Sequence, residues 1–469
     1  MTRISRARTL AARDPLALTR RQLVGGASAA VAAGMLGRPA TGAAQENAEL
    51  VFAYWGSPQE QEAVKVMTED FNERHENINV RPQYIPNDGY REKVTTMLAG
   101  GTPPDLAYMD AGLAFAWAEE GQTLDLRPYV DADPESPTLL PNTNYYYDDG
   151  KIMSTSLATG IMLTFYNKQL FAEAGIDVPP SKAADAWQWD EFVEIAKRLT
   201  KDSNGNNATS PDFDPERIDT YGVSFQQWWG GWIPLIWSNG GDFASEDGMQ
   251  LMLNQPEAVD ALQKMQDLIY VHHVAPTPAQ SQSLPATDIL LRTGKLAMDL
   301  NGMWKVLDYS QTEDLDWSVG VLPYFKEITT IRWGIPIIVS AACKYPDQAY
   351  EFYRWRYSPE RIDLYAKGLW MPIQSTHYTE EDKIAAWIDA IDGVFPPESR
   401  DVFIDYALNN PGKQPPQYWV RNLDQIMQEA VTPAMESLFT GEATAQEAMD
   451  TAVEAATPMM QGRWAAPQQ

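Results

Sequence analysis

Residues Glu49–Asp110 read ELVFAYWGSPQEQEAVKVMTEDFNERHENINVRPQYIPNDGYREKVTTMLAGGTPPDLAYMD. Glu49–Trp55 has the apolar run of a first buried strand. Ser57-Pro58-Gln59-Glu60 then starts a helix: Ser57 caps, Pro58 fits the first turn, and Glu60 closes a capping box. Ala63, Val64, Met67 and Phe71 form its apolar stripe. Asn79–Ile85 is a second strand, Tyr90–Leu98 a helix ended by Gly100-Gly101, and Asp105–Met109 a third strand that stops at Asp110. Alternating strands and helices predict an α/β fold, a mostly parallel sheet with helices on both faces. In such sheets ligands gather at the carboxyl ends of the strands, which points to Trp55 and Asp110.

The chain has 469 residues, too many for one ordinary core, so two large lobes are expected. Apolar residues make up 44%, normal for a soluble globular chain, but 16 tryptophans are a large number that needs a use. The net charge is −28, and without the first 44 residues 29 basic and 63 acidic residues remain. Nucleic acid and anionic lipid heads repel such a surface. The single cysteine, Cys343, excludes an internal disulfide and a thiolate metal site. It reads as a small buried thiol rather than a nucleophile. Four histidines, two of them adjacent at His272-His273, make a histidine metal centre a poor fit. Asp202, Asn204 and Asn206 mimic the start of a calcium loop, but the sixth-position glycine and twelfth-position glutamate are missing. No metal or cofactor is implied.

The amino terminus is basic. It carries the twin-arginine pattern Thr19-Arg20-Arg21-Gln22-Leu23-Val24, a short apolar run to Leu36, and small residues through Ala43-Ala44. That order is the order of a secretion signal, and the run is too short for a membrane span. The expected product is cleaved near Ala43-Ala44, folded before export, soluble and periplasmic.

The stretch Tyr221–Asp242 reads YGVSFQQWWGGWIPLIWSNGGD. Trp228, Trp229, Trp232 and Trp237 are mixed with amides, glycines and an acid. Indole faces beside amide and carboxylate groups suit a ring whose edges carry hydroxyls. The competing reading is a core loop that happens to be rich in tryptophan. Trp237, after an apolar run, reads as core. Further on, Asp185–Thr200, Pro256–Ile269 and Asp347–Tyr357 read as helices. Trp317–Pro323 and Gly334–Ala342 read as strands, and Thr444–Glu447 as a capping box before a terminal helix.

Several segments in order resemble extracellular solute-binding proteins of family 1, the binding subunits of ABC importers for sugars. They are Tyr166-Asn167-Lys168-Gln169-Leu170-Phe171, Ala174-Gly175-Ile176, Pro179-Pro180 and Trp189-Asp190-Glu191-Phe192. Gly101-Thr102-Pro103-Pro104-Asp105, Tyr221-Gly222, Asn239-Gly240-Gly241 and Gly294-Lys295-Leu296-Ala297-Met298 with Gly302 and Trp304 are similar to that family's other signatures. The resemblance implies the two-lobe periplasmic-binding-protein fold, with ligand in the cleft between lobes joined by hinge segments. It implies lobe 1 at residues 45–156 plus 325–367 and lobe 2 at 157–324 plus 368–469. The crossings then fall near Ser154–Gly160, Pro323–Lys326 and Gly368–Pro372. Trp304 stands where the family places a stacking aromatic. Gln227 and Trp229 fall where the maltose-binding branch has a carboxylate and an aromatic, and Trp419 sits near another stacking position. Met109 replaces that branch's first-lobe tryptophan, and no acid matches its hinge glutamate, which puts maltose itself in doubt.

The expected mechanism is hinge closure on a sugar or oligosaccharide, followed by delivery to an ABC permease. Trp229, Trp304 and Trp232 stack on the ring, Asp110, Gln227, Asn239 and Asn301 bond its hydroxyls, and Trp228 is counted among the ligand-binding residues. Arg332 suits an anionic sugar or, equally, a surface salt bridge, and Trp333 and Trp370 flank the crossings. A monomer that is not an enzyme is expected. A secreted glycosidase is the alternative, since two carboxylates are easily found, although no motif fixes such a pair. A scaffold that binds no small molecule and a glycerol phosphodiester ligand also stay open.

Overall fold

The computed structural model describes residues 47–148, 150–156, 158–358 and 361–464; the twin-arginine segment and its cleavage region lie outside the described residues. Two main sheets carry the fold. In the first, Ala48–Tyr54 is central, with Ile78–Tyr84 and Leu106–Tyr108 parallel on either side. Helices Pro58–Arg74 and Tyr90–Ala99 make the crossovers that parallel strands require. Ile337–Val339 closes the order by pairing antiparallel with Leu106–Tyr108.

The second sheet runs in the order Trp317–Gly320, Gly160–Asn167, Leu296–Gly302, Ile218–Phe225, Lys201–Asp202. It departs from the mostly parallel expectation: Ile218–Phe225 and Leu296–Gly302 run parallel, and its other pairings are antiparallel. The parallel pair is joined through helix Pro256–Tyr270, as a crossover demands. Gly160–Asn167 instead enters from the first sheet's side, so no crossover fixes its direction. Its eight residues are all buried, as are the seven of Leu296–Gly302. That fits the mostly apolar sequence of Gly160–Asn167, while Leu296–Gly302 buries Asp299 and Asn301 as a hydrogen-bonded pair.

Sheet pairing locates the passages between the two layers. Arg332–Trp333 pairs with Gly160 and Ile161, while Ile337 pairs with Tyr108. The second passage therefore lies at residues 334–336, not at Pro323–Lys326. Hydrogen bonds explain the difference. Thr330 Oγ1 donates to the Met162 carbonyl, and Tyr324 N donates to the Trp187 carbonyl, both on the second sheet's side. At the third passage Thr159 and Met371 exchange backbone hydrogen bonds of 2.9 Å. Trp370, just before, is held at φ +63°, a conformation that bulky residues rarely adopt.

The capping box expected at Ser57–Glu60 forms by half. Ser57 Oγ accepts from Glu60 N at 3.2 Å, but the Glu60 side chain does not return to the cap. It is buried instead, under the electrostatic influence of Arg356 and Asp308. Arg356 is itself buried; it donates to the Tyr108 hydroxyl at 2.7 Å and lies over the Phe52 ring. Asp308 belongs to helix Lys305–Ser310, beyond the second sheet. Burial pushes the Glu60 carboxyl up to about 8, against the pull of Arg356. The folded-state value is thus above the unfolded one. Below about pH 4 both states hold the proton and nothing is lost. As pH rises toward 8 the unfolded chain ionises and the folded one does not, so stability falls. Glu60→Gln should remove that slope. In thermal melts from about pH 5 to about pH 9 the wild type should lose ground steadily to the variant, and parallel curves would refute the assignment.

Candidate functional site

The cleft is built where strand ends from the two sheets face each other. From the first sheet comes the turn after Leu106–Tyr108. There Asp110 caps helix Ala111–Glu119, its Oδ1 accepting from Gly112 N at 2.9 Å and Leu113 N at 3.3 Å. From the second comes the end of Ile218–Phe225, followed by Gln226–Trp228 and helix Trp229–Ser238. The stretch with four tryptophans is therefore a strand-to-helix turn. Strand direction places both turns at carboxyl ends, as the crevice rule requires.

Four indoles meet there. Trp228 lies 5.0 Å from Trp229, 5.6 Å from Trp333 and 6.0 Å from Trp304, centroid to centroid; Trp333 is 5.6 Å from both Trp229 and Trp304. They form one continuous aromatic wall drawn from three distant chain segments. Gly230 and Gly302 let the rings lie flat on backbone, since a Cβ would stand 2.2 Å from the Trp228 ring and 1.9 Å from the Trp304 ring.

On one side of the wall is a cavity of about 360 Å³. Asp110, Gln227, Trp228, Trp229 and Trp232 line it, together with Gln417 and the helical run of residues 423–440. On the other side a small cavity of about 30 Å³ is lined by Trp304, Trp333, Trp370 and Tyr108. Asp110 is open to solvent through the cleft yet enclosed by protein on its other sides. Burial raises its carboxyl above the usual range; neighbouring Asp424 adds to this, while the capping amides and Arg91 oppose it.

Other expected residues are engaged elsewhere. Asn301 lines neither cavity: its Nδ2 donates to buried Asp299, and its Oδ1 accepts from Gly302 N. Asn239 donates to the Glu257 carbonyl and to Asp260. A buried amide on a central strand or helix end is more cheaply satisfied within the fold. Trp55 packs edge-on to Tyr90 and Tyr108 and lines neither cavity. Arg332 donates to the Ala407 carbonyl, and burial lowers its pKa. Trp419 turns away from the cleft, its Nε1 donating to the Gln414 carbonyl under the Arg463 guanidinium. Its neighbours Pro416 and Gln417 reach the cavity instead. Trp232 touches the cavity at its margin but is only 1% exposed, and Trp237 is core, as expected.

The wall unforeseen in the sequence is the helical run of residues 423–440. Two rows of residues four apart face the cavity: Asp424, Gln428, Thr432 and Glu436, and beside them Met427, Val431, Met435 and Phe439. That spacing was a legible signal. Pro433 obscured it, since proline argues against an unbroken helix. The chain accommodates it with a widened turn at Met427–Val431. Elsewhere, burial pushes the Cys343 thiol up to about 12, which suits packing rather than nucleophilic use. The Asp202 carboxylate is spent on the amides of Asn204, Asn206 and Asp214.

An α/β protein with two sheets and an aromatic cleft between their carboxyl ends is built to hold a small ligand. A family model described as bacterial extracellular solute-binding protein matches residues 55–361. The chain belongs to that family. Its fold is the two-lobe α/β fold of solute-binding proteins. It resembles the ABC substrate-binding protein Lmo0181 of Listeria monocytogenes, solved with cycloalternan, at TM-score 0.74 and 22% identity over 88% of this chain and 99% of that one. In sequence it is 26% identical over 221 residues to an arabinooligosaccharide-binding protein of Halalkalibacterium halodurans, a match spanning 46% of this chain and 44% of that protein. It is 24% identical over 421 residues to the sn-glycerol-3-phosphate-binding periplasmic protein UgpB of Salmonella paratyphi A, covering 83% and 87%. Among the described residues no helix is long and apolar enough to cross a membrane.

Proposed function

We propose that the protein is the ligand-capturing subunit of an ABC importer and takes a sugar or oligosaccharide into the cleft. The observation that carries this reading is a wall of four joined indoles, two of which, Trp228 and Trp229, line a cavity completed by Asp110, Gln227 and the helical run of residues 423–440. Indole faces accept the apolar faces of sugar rings, and Gln227 and Asp110 offer partners to hydroxyls. One lobe holds the first sheet, the other the second. Ligand bridges them, favours the closed arrangement, and the permease reads that arrangement. Twin-arginine export as a soluble periplasmic monomer and the absence of catalysis belong to the same proposal.

Thermal-shift screening of the mature protein against mono-, di- and oligosaccharides and polyols tests it. A ligand at about 100 times its Kd adds about 2.7 kcal/mol to folding stability, so a true hit should give a clear, saturable rise in Tm. No rise with any compound in the panel would refute the proposal.

A further inference from the structure

The charges around the larger cavity are one-sided. Asp110, Asp424 and Glu436 line it, and among the described residues no lysine, arginine or histidine does. Asp110 and Asp424 face each other across Gly112: Asp110 Oδ1 bonds Gly112 N, and a Cβ on Gly112 would stand 3.1 Å from Asp424 Oδ1. Arg91, outside the lining, is paired with Asp424. Gln417, on the same wall, is 3% exposed and turns its amide to the buried Tyr145 hydroxyl.

We infer that Asp110 and Asp424 are the charge selector of this cleft, so that its ligand is a saccharide without negative charge and an ammonium group on it is favoured. The inference rests on the saccharide reading above. Hydroxyl and ammonium hydrogens find carboxylate and amide oxygens on this wall. A phosphate or carboxylate would be desolvated beside like charges, with none of the forked arginine donors that hold such groups. The glycerol-3-phosphate-binding relatives are named for an anion; this lining is wrong for one. Arg332, the basic side chain nearest in expectation, is turned to a backbone carbonyl.

Calorimetry on the mature protein decides. The probes are the neutral sugar that scores in the thermal screen, its phosphorylated, uronate and amino-substituted forms, and glycerol 3-phosphate. The anionic forms should bind at least about 100-fold more weakly than the neutral sugar, the scale of a like-charge juxtaposition. The amino form should bind more tightly, and less so as salt rises. Asp110→Asn keeps an amide oxygen for the helix cap. It should shrink the ratio between neutral and anionic forms, and Asp424→Asn should do the same from the other side. A neutral sugar bound no better than its phosphate would overturn the selector and leave the saccharide reading standing. Glycerol 3-phosphate bound in place of every sugar, or no binding at all, would overturn both.

Discussion

Trp229→Ala should weaken ligand binding by about 1–3 kcal/mol, roughly 5- to 150-fold, with little change in melting temperature. The split follows from position. Trp229 is the first residue of helix Trp229–Ser238, half-buried, with one face toward the larger cavity and an edge contact to Trp333. Its removal deletes a stacking surface and leaves the core intact. Trp237 lies on the same helix and supplies the control. Its ring is in the core and its Nε1 donates to Asp242 at 3.2 Å. Trp237→Ala should cost about 3–5 kcal/mol of folding stability. Titration calorimetry and thermal unfolding on both variants separate the two quantities. Affinity of Trp229→Ala within twofold of wild type would remove the aromatic wall from the binding account.

The parts of the fold legible in the sequence were those where local signals agree. Ser57 and Pro58 start a helix where they should, and Thr444 with Glu447 forms the expected capping box. The strand before Asp110 ends where the apolar run ends. Trp228 and Trp229 were legible as cleft residues because indoles beside glycine and amides do not make an ordinary core. What could not be read was which polar residue faces outward. Asn301 and Gln227 look alike as letters. One is consumed by Asp299 on a fully buried strand, and the other lies on the turn after strand Ile218–Phe225. That difference is set by where the strands end, since Asn301 is inside Leu296–Gly302 and Gln227 is beyond Phe225. The Trp419–Gln417 exchange turns on two residues, which decide which side of a short turn faces the cavity. The passage between sheets was misplaced because the two-lobe resemblance sets it only roughly, while long-range bonds from Thr330 hold the chain to the second sheet.

The second large effect should come from a methyl group that touches no ligand. Gly302 ends strand Leu296–Gly302, pairs with Met162, and carries the Trp304 ring against its α-carbon. A Cβ there would lie 1.9 Å from ring atoms, so the indole or the strand must move. The strand is buried and paired on both sides, and it resists. The ring is partly buried and borders the small cavity, and Trp228 and Trp333 pack against it. Displacing it therefore disturbs both neighbours in the wall. Overpacking of this kind costs about 1–3 kcal/mol of stability. The expected result for Gly302→Ala is a lowered Tm together with at least about tenfold weaker binding, because stacking contacts depend on ring placement. Tryptophan fluorescence gives an independent reading, since the rings meet within one cluster and their emission should shift. The double variant Gly302→Ala with Trp304→Ala tests the cause. Removing the obstructing ring should restore most of the lost stability while leaving binding weak, and that non-additivity is the mark of direct contact. Losses that simply add would mean that Gly302 acts through its strand, and that the wall does not rest on it.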